Sequence, residues 1–347
     1  MSLFAKKSAN GKPNIENIMP SAALPGGEVR ISGTGLKPPD LNRPIVRFGE
    51  AEGSIVVSSD TFVVAKVPDD AASGDVVVRA DGHESNAREV RVGMLVADNV
   101  HPVTNPAVDA QGNIFVTFSG SRGQKVPVSV YKIDTDYNVK PFLTELMNAT
   151  AIVFDHSGEM YVTSRYDGSV YRVKDNGSMT TYAEGMGTAT GMAFDAMRNL
   201  YVGDRSGTIF KISPTAEIFV FATLEASVSA YHLAFGPDGG LYVTGPTTSS
   251  YDAVYRIGPD GGVTEFYRGL GRPQGMAFDV SGNLYVCASH AGKRGIVKIT
   301  PEKHASLAVS GHGIVGLAFT SSKGAVITTT NAVYYLNLGI EGMPLHG

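Results

Sequence analysis

The phrase Gly191-Met-Ala-Phe-Asp195, followed by Asn199-Leu-Tyr-Val202, returns almost unchanged as Gly275-Met-Ala-Phe-Asp279, followed by Asn283-Leu-Tyr-Val286. Weaker copies occur on both sides. Aligned on the Phe-Asp step, they fall at Asp109, Asp155, Asp195, Gly236, Asp279 and Thr320, 40 to 46 residues apart. A unit of about 40–45 residues, built from short apolar runs and tight turns, cannot bury its faces alone and must stack against its neighbours. That period constrains the fold more than any other feature of the chain.

Each copy reads as four strands. An almost wholly apolar run (Ile152-Val-Phe154, Met192-Ala-Phe194, Leu233-Ala-Phe235, Met276-Ala-Phe278, Leu317-Ala-Phe319) precedes a turn containing Gly or Asn. A second run follows: Met160-Tyr-Val162, Leu200-Tyr-Val202, Leu241-Tyr-Val243 and Leu284-Tyr-Val286. A third alternates, as a half-wet strand does (Val170-Tyr-Arg-Val173, Ile209-Phe-Lys-Ile212, Val254-Tyr-Arg-Ile257), and turns such as Asp175-Asn-Gly177 lead to a fourth. The pattern predicts an all-β, six-bladed β-propeller over residues 94–338. The last copy ends on its third strand, Val333-Tyr-Tyr-Leu336. Counting back from Asp109, the run Met94-Leu-Val-Ala97 falls where the missing fourth strand belongs, so it is expected to close the ring and remove an open edge.

Residues 13–93 read differently. Short alternating runs (Val29-Arg-Ile-Ser32, Ile45-Val-Arg-Phe48, Phe62 to Val67, Asp75 to Arg79, Glu89 to Val92), separated by Gly, Pro and Asp, predict a small β-sandwich. Residues 1–12 are expected to be a disordered or expression-derived N-terminus, and 339–347 a C-terminal tail.

Composition narrows the function classes. The 347 residues are 43% apolar, with 41 Gly and no Trp, and the formal charge is −4, the wrong sign for general nucleic-acid binding. No apolar run approaches the roughly 18 residues of a membrane-spanning helix, and the start lacks a signal peptide's apolar stretch. The lone Cys287 reads as a small buried strand residue. Glycine-rich stretches such as Gly185-Met-Gly187 and Gly269-Leu-Gly271 recur at one interblade turn, and Gly33-Thr-Gly35 opens no helix, so none is a phosphate loop. Asn148-Ala-Thr150 and Asn176-Gly-Ser178 fit the glycosylation sequon.

Two resemblances follow from these residues. Pro20, Gly26-Gly27, Val29-Arg-Ile-Ser-Gly33-Thr-Gly35-Leu36, Val46-Arg-Phe-Gly49 and Val67-Pro68 resemble an IPT/TIG domain, an immunoglobulin-like module. The repeat over 94–338 resembles the NHL repeat and the six-bladed propeller group of gluconolactonase-like and SMP-30-like proteins. The shared residues are scaffold, so the resemblance implies the fold and leaves the activity open. The enzymes of that group hold a divalent metal through Glu, Asn and Asp on separate blades. Asn105 and Asp204 stand at comparable places here, but a matching glutamate is lacking.

The loops between second and third strands, and between blades, vary most, and varied loops on a rigid frame are where function concentrates. They carry Arg122, Lys125, Arg165, Arg205, Lys293 and Arg294 against Asp167, Asp204 and Asp252, an excess of positive charge in an acidic chain. That contrast points to an anionic ligand, an acidic sugar or a carboxylate, gripped by arginine. Candidate ligand-binding residues are Arg165, Tyr166, Arg205, Tyr231, His232, Gln274, His290 and Arg294. Candidate metal ligands, for calcium or zinc, are Asn105, Asp204 and His232, and no catalytic residue can be assigned. The reading is a non-catalytic binding protein of a bacterial surface or envelope, for a small anionic or carbohydrate ligand or another surface protein. Its alternative is a metal-dependent lactonase-like hydrolase, or a lyase, at the same propeller mouth.

Overall fold

The computed structural model describes residues 12–38 and 42–344. All but one of the residues expected to form the N-terminal extension, and the last three of the tail, lie outside the described residues. Every regular element among the described residues is a β-strand. The chain divides into two compact units, Met1–Met94 with Leu307–His312, and Leu95–Ser306 with Gly313–Gly347.

In the first unit, Asn14–Met19, Glu28–Thr34, Phe62–Lys66, Ala51–Ser58, Ile45–Phe48, Gly74–Ala80 and Arg88–Val92 are hydrogen-bonded in that order, each to the next antiparallel. Alternation puts one side of each strand inward. In Glu28–Thr34, Val29 and Ile31 are buried while Arg30 is exposed. Ile15, Val46, Val63, Val76 and Val78 complete a core of the unit's own.

The second unit is a β-propeller. Four repeats each form a four-stranded antiparallel sheet in chain order: Ala107–Leu143, Ala149–Ala183, Ala189–Thr223 and His232–Leu270. A fifth sheet joins Ile314–Phe319, Gly324–Thr329 and Ala332–Asn337 to Met94–Asp98, which takes the outer position assigned to it from the repeat count. Burial falls from hub to rim. The inner strand Ala189–Phe194 is wholly buried, and the outer strand Ile218–Thr223 is mostly exposed.

Five blades therefore stand as separate sheets, rather than the six expected. The repeat at Met276 supplies three antiparallel strands, Met276–Phe278, Leu284–His290 and Lys293–Ile299. It is not a free-standing four-stranded sheet, because most of the segment at its outer-strand position, Leu307–His312, groups with the first unit.

Two devices hold blade to blade, and a third braces each blade's own turn. The second strand carries a buried threonine at or next to its end in four repeats, and its hydroxyl donates to a carbonyl near the start of the next repeat's inner strand. Thr117 bonds to Thr150 O, Thr163 to Thr190 O, Thr244 to Gln274 O, and Thr328 to Thr104 O across the ring closure. Second, each second-strand aromatic sits edge-on between two rings: Tyr161 meets Tyr182 of its own blade and Phe194 of the next, and Phe115, Tyr201 and Tyr242 repeat the arrangement. Such pairs contribute about 0.5–1.5 kcal/mol beyond their burial. Third, the repeat's Asp braces its own turn. Asp195 accepts bonds from the Met197 and Asn199 amides, the Asn199 side chain and the Tyr201 hydroxyl, and Asp279 does the same with Ser281, Asn283 and Tyr285.

Thr163 also accepts the buried Ala151 amide. Thr163→Val therefore strands two backbone groups and Thr244→Val one. At roughly 1–3 kcal/mol per unsatisfied buried group, Thr163→Val should be the more destabilising by about 1 kcal/mol or more, read as a larger drop in the urea midpoint at unchanged slope.

Candidate functional site

The inner strands enclose an axial cavity of about 500 Å³. Thr104, Asn105, Gly191 and His232 line the end where those strands begin, and the turn residues Asp195, Met197, Pro237 and Pro259 line the other, with Met343 and Pro344. None of the candidate loop residues reaches this cavity.

Asn105 faces the cavity with its amide committed. Its Nδ2 donates to Met276 O at 3.0 Å, and its Oδ1 accepts from Leu317 N at 3.1 Å. It thereby ties together the inner strands of two other repeats, Met276–Phe278 and Ile314–Phe319. The fit explains the recurring hub glycine: a Cβ on Gly275 would strike Asn105 Oδ1, and one on Gly316 would strike the Asn105 backbone. His232 occupies the equivalent position in its blade, 2% exposed, with Nε2 lacking a partner. Burial alone pushes its pKa down to about 3, so the ring is neutral at physiological pH.

Asp204 lies outside the cavity and is also committed. It accepts from Thr188 N at 2.8 Å and from the Ser206 hydroxyl. The structure thus brings Asn105 and His232 to one cavity and keeps Asp204 apart. Among the described residues no three His, Cys, Asp or Glu side chains converge as a metal cluster.

Tyr231 is buried against Gly203 and Gly245, its hydroxyl donating to Glu225 O. Gln274 uses its backbone, donating to Cys287 O and accepting from Thr244. His290 and Arg294 lie on the hairpin made by Leu284–His290 and Lys293–Ile299, with the His290 ring 6.3 Å from that of Tyr267. Cys287 is buried, which raises its thiol pKa.

A different group assembles on the loops. Arg165 donates from Nη2 to Gly120 O at 2.7 Å, and Arg205 from Nη2 to Val228 O at 3.1 Å. Both Nε groups are buried without partners. Burial, then the positive charges of Arg205 and Arg122, depress the Arg165 pKa. The five ion pairs among the described residues all lie elsewhere, so none of these three guanidinium groups has a carboxylate. Tyr166, 49% exposed, packs beside Gly123 in the loop that Arg165 grips.

Sequence reasoning passed over Asn148. Fully buried, it donates to Gly120 O and Ser121 O and accepts from Gly123 N, so it fixes the loop carrying Arg122. Its sequon disguised this role, and the committed side chain leaves no room for a glycan.

The sheets and their order define the class: a β-propeller. No protein-family profile matches the chain, and no curated protein matches it. Solved structures do. An auxiliary nutrient binding protein from Bacteroides thetaiotaomicron aligns at a TM-score of 0.54 and 14% identity, over 94% of this chain and 98% of that one. A gluconolactonase-like protein aligns at 0.59 and 14%, over 73% and 94%. A catalytically inactive virginiamycin B lyase from Staphylococcus aureus aligns at 0.51 and 14%, over 94% and 96%. At such identities the likeness is one of fold.

The buried neutral His232 has a consequence for pH. Its folded pKa lies below the ordinary imidazole value of 6.5, so below about pH 6.5 the unfolded chain binds a proton that the folded one refuses. Stability should fall as the pH drops from about 6.5 towards 3, by at most about 1.4 kcal/mol per unit from this group. Denaturant titrations at pH 7, 5.5 and 4.5 should show that slope reduced in His232→Leu.

Proposed function

We propose that the chain is a non-catalytic binding protein whose propeller loop face takes an anionic ligand, an acidic sugar or a carboxylate. The observation that carries this reading is the trio Arg122, Arg165 and Arg205. Their charges are close enough for Arg122 and Arg205 to depress the Arg165 pKa, and no carboxylate balances them. A protein gains nothing in stability by gathering unneutralised guanidinium groups, whereas an incoming carboxylate relieves the repulsion and accepts two hydrogen bonds at once. Tyr166 offers an exposed ring beside them, suited to the face of a sugar.

In this reading the propeller is six-bladed and NHL-like. The three antiparallel strands at Met276–Ile299 support that count, as does the Tyr285–Phe319 contact, which continues the aromatic wedge into the next repeat. The N-terminal unit is read as an IPT/TIG immunoglobulin-like sandwich, supported by its antiparallel strands and alternating burial. The nutrient binding proteins of similar fold support an extracytoplasmic, bacterial setting. No helix among the described residues is long and apolar enough to cross a membrane. No observation favours the hydrolase or lyase alternative, since Asn105 and Asp204 spend their oxygens on backbone and hydroxyl donors.

Calorimetric titration with a panel of uronic acids, sialic acid and dicarboxylates tests the reading. A ligand of this class should bind, and Arg165→Gln or Arg205→Gln should each weaken it about ten- to hundredfold, the value of a lost charged hydrogen bond. Equal affinity in both variants would sink the assignment.

A further inference from the structure

The axial cavity lies away from the arginine trio and has a different chemistry. Its side-chain lining is mostly Ala, Val, Leu, Met and Phe from the inner strands. Two charged side chains border it: Asp195, which is saturated by its turn, and Lys211, whose ammonium stands 5.6 Å over the Tyr201 ring. The inner strand of each blade is also an edge strand, hydrogen-bonded to a neighbour on one side only. Axis-facing peptide groups therefore supply uncharged donors and acceptors among the apolar side chains. His232 adds a neutral imidazole with an unpartnered nitrogen.

The space is built by small residues. Ala234 and Ala277 interrupt otherwise large inner-strand runs, and both are only partly covered. The volume lies within the range of about 300–1,000 Å³ typical of small-molecule sites, which are likewise apolar with a few placed polar groups. Far smaller apolar voids, of about 150 Å³, already hold a benzene-sized guest. The turn end reaches solvent, since Met197 on its rim is 71% exposed.

We propose that this cavity is a second binding site, for a small uncharged molecule with an aromatic or branched aliphatic body and a hydroxyl or amide group. The predominantly apolar lining selects for an uncharged body, whereas the loop-face arginines favour an anion, so the two sites answer to different ligands.

The probe is N-phenyl-1-naphthylamine, a neutral fluorophore that brightens in apolar surroundings, titrated into the full chain at pH 7. Saturable brightening at one equivalent is expected, with competition by indole and benzyl alcohol and at least tenfold weaker competition by benzoate. Ala234→Leu and Ala277→Leu, which fill the cavity from two blades, should each weaken probe binding at least tenfold. Arg165→Gln should leave it unchanged, which separates this site from the loop face. If one filling variant fails to fold, the other and the benzoate comparison still decide. Brightening without saturation, equal binding in a folded cavity-filled variant, or benzoate competing as well as benzyl alcohol would each overturn the proposal.

Discussion

The propeller depends on a hydroxyl placed where a blade meets its neighbour. Stacked sheets are held mainly by non-directional burial, which tolerates sliding and rotation. The threonine at or next to the end of the second strand removes that freedom, because its bond to the next repeat's carbonyl exists at one register only. Four repeats use it, and Thr328 to Thr104 carries it across the point where the first and last repeats meet. Where Gly203 takes the threonine position, the bond is made differently: Thr190 accepts the Tyr231 amide and donates to Gly203 O. At Cys287 the hub bond passes to the backbone, with Gly275 N donating to Val315 O. The aromatic wedge lies outside this ring and fills the gap that widens with distance from the axis.

The repeat made the fold legible. Strand order, the burial of the inner strand and the closing role of Met94–Asp98 follow from the period and from the one strand missing at the end. Blade count was less accessible, because a fourth strand is recognised by its pairing, and Leu307–His312 groups with another unit. The repeated Asp was visible at once, but its purpose was not. It looks like a chemical group and serves as a turn brace, donating nothing outward. The threonines stood one residue beyond the conspicuous Tyr-Val pairs, where a hydroxyl after an apolar run reads as an ordinary strand end.

The candidate site was legible in kind and only partly in detail. Position along a strand tells which end of the propeller a residue occupies, but not which of its neighbours its side chain meets. Asn105, Asp204 and Tyr231 all lie near the expected places, and packing commits each to a structural bond. Asn105 illustrates the reason. Its role is visible only beside Gly275 and Gly316, which come from two other repeats and leave the space its amide needs. The arginines escaped this fate because their donors outnumber the carbonyls within reach: Arg165 and Arg205 each give one Nη to a loop and keep the rest of the guanidinium in play.

The two ends of the propeller differ chemically, and the same repeat explains both. At the turn end the sequence is constrained by the brace: Asp109, Asp195 and Asp279 each meet an Asn and two amides within five residues, which spends these carboxylates on their own turns. At the loop end the recurring bonds are made by the backbone, with Arg165 N donating to Asn148 O and Arg205 N to Thr188 O, which leaves the side chains there free to carry charge. The scaffold separates the two chemistries by the length of its inner strands.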